Sequence, residues 1–553
     1  MNHSSLIIIV ACFAVLSIDR PSYGQEILTP KPPATPRING PRVYGERPGR
    51  PFHFTIPATG DGPITYSASG LPDGLILDER LGRISGSVSK EGNYKITLTA
   101  RNALGSDSST LLIKIGPEIC LTPPMGWNSW NCFAGAVDQE KVRAQARAMV
   151  KSGLIKHGWT YINIDDTWQG KRGGEFNAIQ GNKKFPDMKQ LCDEIHALGL
   201  KAGIYSTPWV TSYAGYPGGS AENPQGTWTP FSGRKQVNRK ILPFAVGKYS
   251  FAKEDAKQWA AWGFDYLKYD WNPIELPQVQ EMRDALDATG RDFVLSLSNN
   301  TPLGVGNDVA KVANCWRTTG DIRDTWQSMS GNGFSQEHWA QFARPGHWND
   351  PDMLVVGMVG WGSKLHPTGL TPDEQYTHMT MWCLLAAPLL LGCDMTHLDD
   401  FTLSLLTNDE VLAVDQDPLG REALMVKLDG QKWIWARLLS DSTVAVGVFN
   451  HGRYELTYGP RRRGATEKVW RIRDWQTRKD ETFDSREAAE AALASRATPL
   501  EITVHWADLQ RGGRQQVRDL WRQKDLGFAD ESISVMVPEH GAVMLKVGTP
   551  HQD

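Results

Sequence analysis

Residues 264–272, FDYLKYDWN, make an aromatic run with the composition of a buried strand, yet the run ends on Lys268 and Asp270. Burying an unpaired charge is costly, so such an ending is either neutralised by partners or kept for chemistry. The pattern recurs along the middle of the chain. Apolar runs end on Trp127 and Trp130, on Asp165 and Asp166, on Tyr205, on Arg317 and Asp321, and on Asp350 and Asp352. Many carboxylates, one lysine, one arginine and several aromatics suit glycoside hydrolysis. That reaction needs one carboxylate as nucleophile or base, another as proton donor, and further polar groups to hold sugar hydroxyls. Competing chemistries lack their parts. There is no HExxH, no Walker loop and no GxSxG, and the GVGN fragment at Gly304 is too short for a dinucleotide fingerprint. A magnesium ion on Asp350 and Asp352 would need further converging ligands. The sequence therefore predicts neither a metal nor a cofactor.

Something must bring these run ends together. From Thr122 onward, strand-like runs alternate with helix-like ones: MGWNSW before VDQEKVRAQARAMVKSG, YINIDD before MKQLCDEIHALG, KAGIYS before KEDAKQWAAWG, and YLKYD before VQEMRDALDATG. FVLSLS, NCWRTTGD, HWNDPDM and LLAAPLLLGCD continue the series. Eight such strands predict a (β/α)8 TIM barrel, and in that fold the loops after the strand C-termini build the active site. The barrel is expected over residues 118–413. Residues 40–117 carry short alternating runs such as FHFTIPAT and YKITLTARN between Gly, Pro, Asp and Asn turns, which predicts a small β-sandwich. After VDQDPLG the pattern reverts to strands (WIWARL, TVAVGVFN, ITVHWAD). An antiparallel β domain with a polar insertion is expected over 414–553.

Composition narrows the class. A net charge of -3, with no basic face interleaved with aromatics, gives no reason to expect nucleic acid. The 21 tryptophans supply flat faces for sugar rings as well as core volume. At the N-terminus an apolar run from Leu6 to Leu16, too short to span a bilayer, precedes Ser22-Tyr23-Gly24. A signal peptide over residues 1–24 is expected, with a secreted or periplasmic protein after it. A Pro-rich linker is expected over 25–39, and no later segment is long and apolar enough to span a membrane. The six cysteines after Cys12 show no CxxC spacing, so neither a zinc site nor a disulfide scaffold is indicated.

The motifs TPPMGWNSWNCF, YINIDDTW, GLKAGIYS, DYLKYD, WRTTGDIRDTW, GHWNDPDMLVVG, AAPLLLGCD and VDQDPLG resemble, in order, those of glycoside hydrolase family 27, the α-galactosidase (melibiase) family of clan D. The stretch GLPDGLILDERLGRISGSVSKEGNYKITLTARNALGSDS resembles the Ig-like modules of secreted bacterial proteins. The family resemblance implies a retaining double displacement on a terminal α-D-galactosyl residue, with Asp270 as nucleophile and Asp321 as acid/base. Such a mechanism requires carboxyl groups about 5–5.5 Å apart. It further implies that Asp165 and Asp166 hold the axial 4-hydroxyl and the 6-hydroxyl. Trp130 and Tyr205 would line the sugar, and Lys268, Arg317 and Asp352 would complete a polar ring. Lys268, on the same strand face as Asp270, is expected to hold that carboxylate ionised.

Departures from the family pattern keep other readings open. The loop after strand 5 is SLSNNTPLG, which puts Ser298 or Asn299 where family members present the residue that meets the 2-hydroxyl. α-N-Acetylgalactosaminidase and β-L-arabinopyranosidase activities, both known in the family, therefore remain alternatives, as does a non-catalytic carbohydrate-binding or adhesive protein. Thr167 and Trp271-Asn272 replace family cysteines, which removes two family disulfides. The connection from Trp209 to Tyr249 is long, contains the basic stretch RKQVNRK, and is placed to shape the aglycone side.

Overall fold

The computed structural model describes residues 27–230, 235–237, 240–242, 244–460 and 468–548. The signal segment and Arg461–Arg463 lie outside the described residues, as do Arg234, Asn238 and Arg239 of the basic stretch.

Eight parallel strands form the central sheet: β1 (Met125–Asn128), β2 (Tyr161–Asn163), β3 (Lys201–Ser206), β4 (Tyr266–Asp270), β5 (Val294–Ser298), β6 (Cys315–Arg317), β7 (Trp348–Asp350) and β8 (Leu389–Leu391). Their order is β7-β6-β5-β4-β3-β2-β1-β8. The two outer strands are joined through Leu354, just after β7: its N–H donates to Leu390 O (2.8 Å), and Gly392 N–H donates to Leu354 O (2.9 Å). Closure removes the sheet edges that a barrel must not leave open. Two of the outer helices start on aspartate side-chain caps, Asp138 before Gln139–Lys151 and Asp187 before Met188–Ala197. Gly263, at φ +99°, ends Ala252–Trp262 and turns the chain into β4.

Strand alternation explains the FDYLKYDWN ending. Leu267 and Tyr269 pack into the layer between sheet and helices, while Tyr266, Lys268 and Asp270 face the barrel interior. In register, Lys268 lies beside Tyr205 of β3 and Ser296 of β5, and Asp270 lies beside Ser298. The charged ends of neighbouring strands are thereby brought to one rim.

The N-terminal module is a sandwich of a four-stranded and a three-stranded sheet. One of its two longest strands, Gly92–Asn102, points Ile96, Leu98 and Ala100 into a core with Phe52, Phe54, Ile84, Leu111 and Ile113. The first strand of this module, Arg37–Ile38, pairs with Ala58–Thr59, so the end of the Pro-rich segment belongs to the sandwich. The start of that segment is held too: Leu28 N–H donates to Tyr376 Oη (3.1 Å), and Asn408 Nδ2 donates to Thr29 Oγ1 (3.1 Å). The C-terminal region holds a six-stranded antiparallel sheet that runs from Leu424–Asp429 to Lys524–Ala529. It packs on the pair Leu500–His505 and Ser532–Val537 over Val446, Val448, Ile502, Val504 and Leu545. The polar insertion folds as a separate three-stranded sheet with the helix Arg486–Ala494.

The Ig-like module docks where the barrel strands begin, opposite the charged rim. Lys201, the first residue of β3, donates from Nζ to Tyr44 Oη (2.6 Å), and Thr55 Oγ1 donates to Gly199 O (2.8 Å). Arg47 Nη1 pairs with Asp292 (3.0 Å) and Asp287 (3.1 Å). Hydrogen bonds to charged groups are worth about 1.5–3 kcal/mol where they are partly buried. Arg47→Ala is accordingly expected to lower the melting temperature by a few degrees. Because this contact lies at the far end of the barrel, kcat/KM should stay unchanged; differential scanning fluorimetry beside a glycosidase assay checks both halves.

Candidate active site

At the C-terminal rim a cavity of about 150 Å³ is lined by Trp130, Asn131, Asp165, Asp166, Tyr205, Tyr213, Lys268, Asp270, Asn299, Arg317, Asp321, Asp352 and Met353. Its size is well below the roughly 300–1,000 Å³ of clefts that enclose drug-sized ligands, so it encloses a single small unit. A second opening at the other end of the barrel, of about 110 Å³ and lined by Tyr44, Glu46, Lys201 and Asp265, is the seam with the Ig-like module.

Two ion pairs organise the floor. Lys268 Nζ donates to Asp165 Oδ2 at 2.7 Å, and Arg317 Nη1 meets Asp352 Oδ1 at 2.7 Å. Asp352 sits at φ +90° in the turn after β7. Asp352 N–H donates to Asp350 Oδ1 (2.8 Å), and the second Asp352 oxygen accepts from Ile322 N–H (2.7 Å), next to Asp321. Asp350 is thus used to brace the turn rather than to face the cavity. Arg317 Nη2 donates to Gly320 O (2.8 Å) and makes a longer contact of 3.5 Å with Asp321 Oδ1.

Sequence reasoning expected Lys268 to hold Asp270 ionised; its charge does favour the ionised form, while its hydrogen bond goes to Asp165. Asp270 is buried, and its Oδ1 makes no hydrogen bond among the described residues. Desolvation pushes its carboxyl up to about 7. Lys268 and Arg317 oppose the shift, whereas Asp165 and Asp321 add to it. The Tyr205 hydroxyl is held far above its usual range by burial and by Asp166, Asp270 and Asp165, so it stays neutral. The Asp321 side chain, by contrast, is 56% exposed at the mouth.

The Asp165-Asp166 pair divides its bonds unevenly. Asp166 Oδ1 accepts from Ser212 Oγ (2.8 Å), Thr167 N–H (2.7 Å) and Gln169 Nε2 (3.0 Å), while Oδ2 accepts from Ala214 N–H (2.9 Å). Asp165 accepts one donor on each oxygen, Asp166 N–H and Lys268 Nζ. With about two lone pairs per oxygen, Asp165 keeps an acceptor position on each and Asp166 keeps one on Oδ2. Asn131 adds a buried amide whose Nδ2 has no partner among the described residues.

Of the two strand-5 candidates, Asn299 reaches the cavity. Ser298 lies one layer lower, in a small hollow with Ser296, Tyr266 and Asp350. Trp271 N–H donates to Ser298 O and Asn299 N–H donates to Trp271 O, which turns Ser298 inward along the strand and Asn299 upward. Asn131, Tyr213 and Met353 were not singled out in the sequence. Met353 follows the DPD turn directly, and Tyr213 lies in the long connection after β3, within YAGYP. The six cysteines from Cys120 to Cys393 are all free thiols. No group of three or more His, Cys, Asp or Glu placed to hold a metal ion occurs among the described residues.

A (β/α)8 barrel whose C-terminal rim carries a buried and an exposed aspartate in a cavity of sugar-ring size defines a barrel enzyme of the glycoside-hydrolase class. The chain belongs to the Alpha galactosidase A (Melibiase_2) family, which matches residues 122–229 and 237–417. An Ig domain family (He_PIG) matches residues 35–116, and the Alpha galactosidase C-terminal beta sandwich domain matches 491–547. Among curated proteins, α-galactosidase 2 of Arabidopsis thaliana is 37% identical over 82% of this chain and 95% of its own length. A Bacteroides fragilis structure, solved as that of a candidate α-galactosidase/melibiase, superposes with a TM-score of 0.76 at 31% identity, covering 93% of this chain and 98% of that one. α-Galactosidase I of Mortierella vinacea superposes with a TM-score of 0.59 at 28% identity, covering 78% of this chain and 99% of that one.

The Asp270 shift has two consequences of opposite sign. If Asp270 must be ionised to react, kcat/KM falls as the pH drops through about 7. Lys268→Met removes an opposing charge and is expected to move that limb to higher pH. For stability, the folded pKa lies above the unfolded value of about 3.9, so the folded state binds the extra proton and loses stability as pH rises from about 4 to 7. Asp270→Asn should therefore melt a few degrees above wild type at pH 8, with the difference closing toward pH 4; equal melting temperatures at pH 8 would count against a desolvated carboxylate.

Proposed function

We propose that the protein is a secreted, retaining exo-α-galactosidase that releases terminal α-D-galactosyl residues from oligo- or polysaccharides. The observation that carries this reading is the contrast between the two aspartates in one enclosed cavity. Asp270 is desolvated, unpaired on Oδ1 and fixed at a strand end, which suits a nucleophile that attacks C1 from within. Asp321 stands at the exposed mouth, where a leaving oxygen would exit and where water can later enter. In the first step an Asp270 oxygen forms a bond to C1 as the C1–O bond to the aglycone breaks, and Asp321 gives its proton to the departing oxygen. In the second, Asp321 takes a proton from water as that water attacks C1 and Asp270 is released. Asp165 and Asp166, with three open acceptor positions between them, would take hydroxyl protons of the sugar. The small cavity closes around one unit, which favours attack on chain ends. Secretion rests on the N-terminal segment of the sequence.

Asn299 lines the cavity at the strand-5 turn, where family members present the residue that meets the 2-hydroxyl, so the group accepted at the 2-position is decided by assay. Activity on p-nitrophenyl α-D-galactopyranoside, its 2-acetamido analogue and p-nitrophenyl β-L-arabinopyranoside separates the three family activities; the galactoside is expected to be turned over fastest. No hydrolysis of any of the three would support a binding protein instead. Asp321→Ala is expected to lower kcat/KM by about 10²–10⁴-fold. Asp270→Ala should abolish turnover, and added azide should restore it while producing β-galactosyl azide. In wild type, proton NMR should find α-galactose as the first product, and β-galactose there would overturn the retaining route.

A further inference from the structure

The rim continues outward into an aromatic surface that the proposed chemistry does not use. Tyr213 lines the cavity together with Asp270 and Asp321, and its hydroxyl pKa is raised by burial and by the charges of those two carboxyls. Behind it, Trp209 is buried and Phe244 stacks on it with ring centroids 4.6 Å apart at 19°. Tyr213 stands edge-on to Trp209 (4.9 Å, 67°) and tilted against Phe244 (5.1 Å, 54°). Tyr213 and Phe244 nevertheless remain 38% and 37% exposed.

Tyr213 is not loosely placed. Its neighbours on either side, Ser212 and Ala214, both bond Asp166, by Ser212 Oγ to Oδ1 (2.8 Å) and Ala214 N–H to Oδ2 (2.9 Å). The carboxylate that would hold the sugar thus also fixes the backbone that carries the ring. A solvated loop has no need of this coupling, nor of two exposed rings braced by a buried third.

We propose that Tyr213 and Phe244, backed by Trp209, form the aglycone subsite, a stacking platform for the second pyranose of an α-galactosyl oligosaccharide. Rigid aromatic faces bind sugar rings through their C–H faces at low entropic cost, and Tyr213 shares the cavity lining with Asp321, the exposed carboxyl at the mouth where the leaving group would depart. This inference rests on the galactosidase reading.

The test compares a substrate with an aglycone sugar, melibiose, with α-galactosyl fluoride, which has none. Phe244→Ala and Tyr213→Ala are each expected to lower the ratio of kcat/KM on melibiose to that on the fluoride by about tenfold. Tyr213→Phe and Phe244→Trp, which retain a ring, should keep the wild-type ratio, and melting temperatures identify any misfolded variant. A ratio unchanged in both alanine variants, or one lost equally in the ring-retaining variants, overturns the platform. Wild type inactive on the fluoride would instead overturn the galactosidase reading itself, and the platform with it.

Discussion

The site depends on keeping several charges ionised in a place with little water. Lys268 with Asp165 and Arg317 with Asp352 do this, each pair at 2.7 Å and each almost fully shielded from solvent. Removing one member of such a pair strands the other, so the four residues act as a unit. Their mutual neutralisation frees Asp270 to remain unpaired. A direct ion pair with Lys268 would pull its raised pKa back down and tie up the oxygen that has to attack.

The same economy governs the surrounding loops. Asp352 reaches Ile322 beside Asp321, and Asp166 reaches Ser212 and Ala214 beside Tyr213. These two carboxylates therefore each commit oxygen lone pairs to holding a neighbouring loop. Precision at the mouth derives from the rigid strand ends through these bonds. The Ig-like module braces the opposite end, where Tyr44, Arg47 and Thr55 engage the starts of the strands. It stands away from the cavity, which fits a role in stability or placement of the enzyme rather than in catalysis.

Much of this was legible in the residues. Strand alternation put Lys268 and Asp270 on one face, the eight-fold series of runs indicated a closed barrel, and the loop rule then gathered Asp165, Asp166, Arg317, Asp321 and Asp352 at one end. The motif resemblance supplied roles that composition could not. Legible too was the unusual length of the Trp209–Tyr249 connection, though not which of its aromatics turns toward the cavity.

What the sequence by itself determined is the inventory and its order along the chain, because periodicity and turn residues act over a few positions. Only the tertiary structure decided pairings and depth. Lys268 could reach either Asp165, 103 positions away, or Asp270 on its own strand, and Asp165 takes its hydrogen bond. Ser298 and Asn299 are adjacent in sequence, but backbone bonds to Trp271 put one below the floor and the other in the cavity. Desolvation of Asp270 is likewise a property of the closed barrel, since a carboxylate's pKa follows from everything that excludes water around it rather than from its neighbours in the chain.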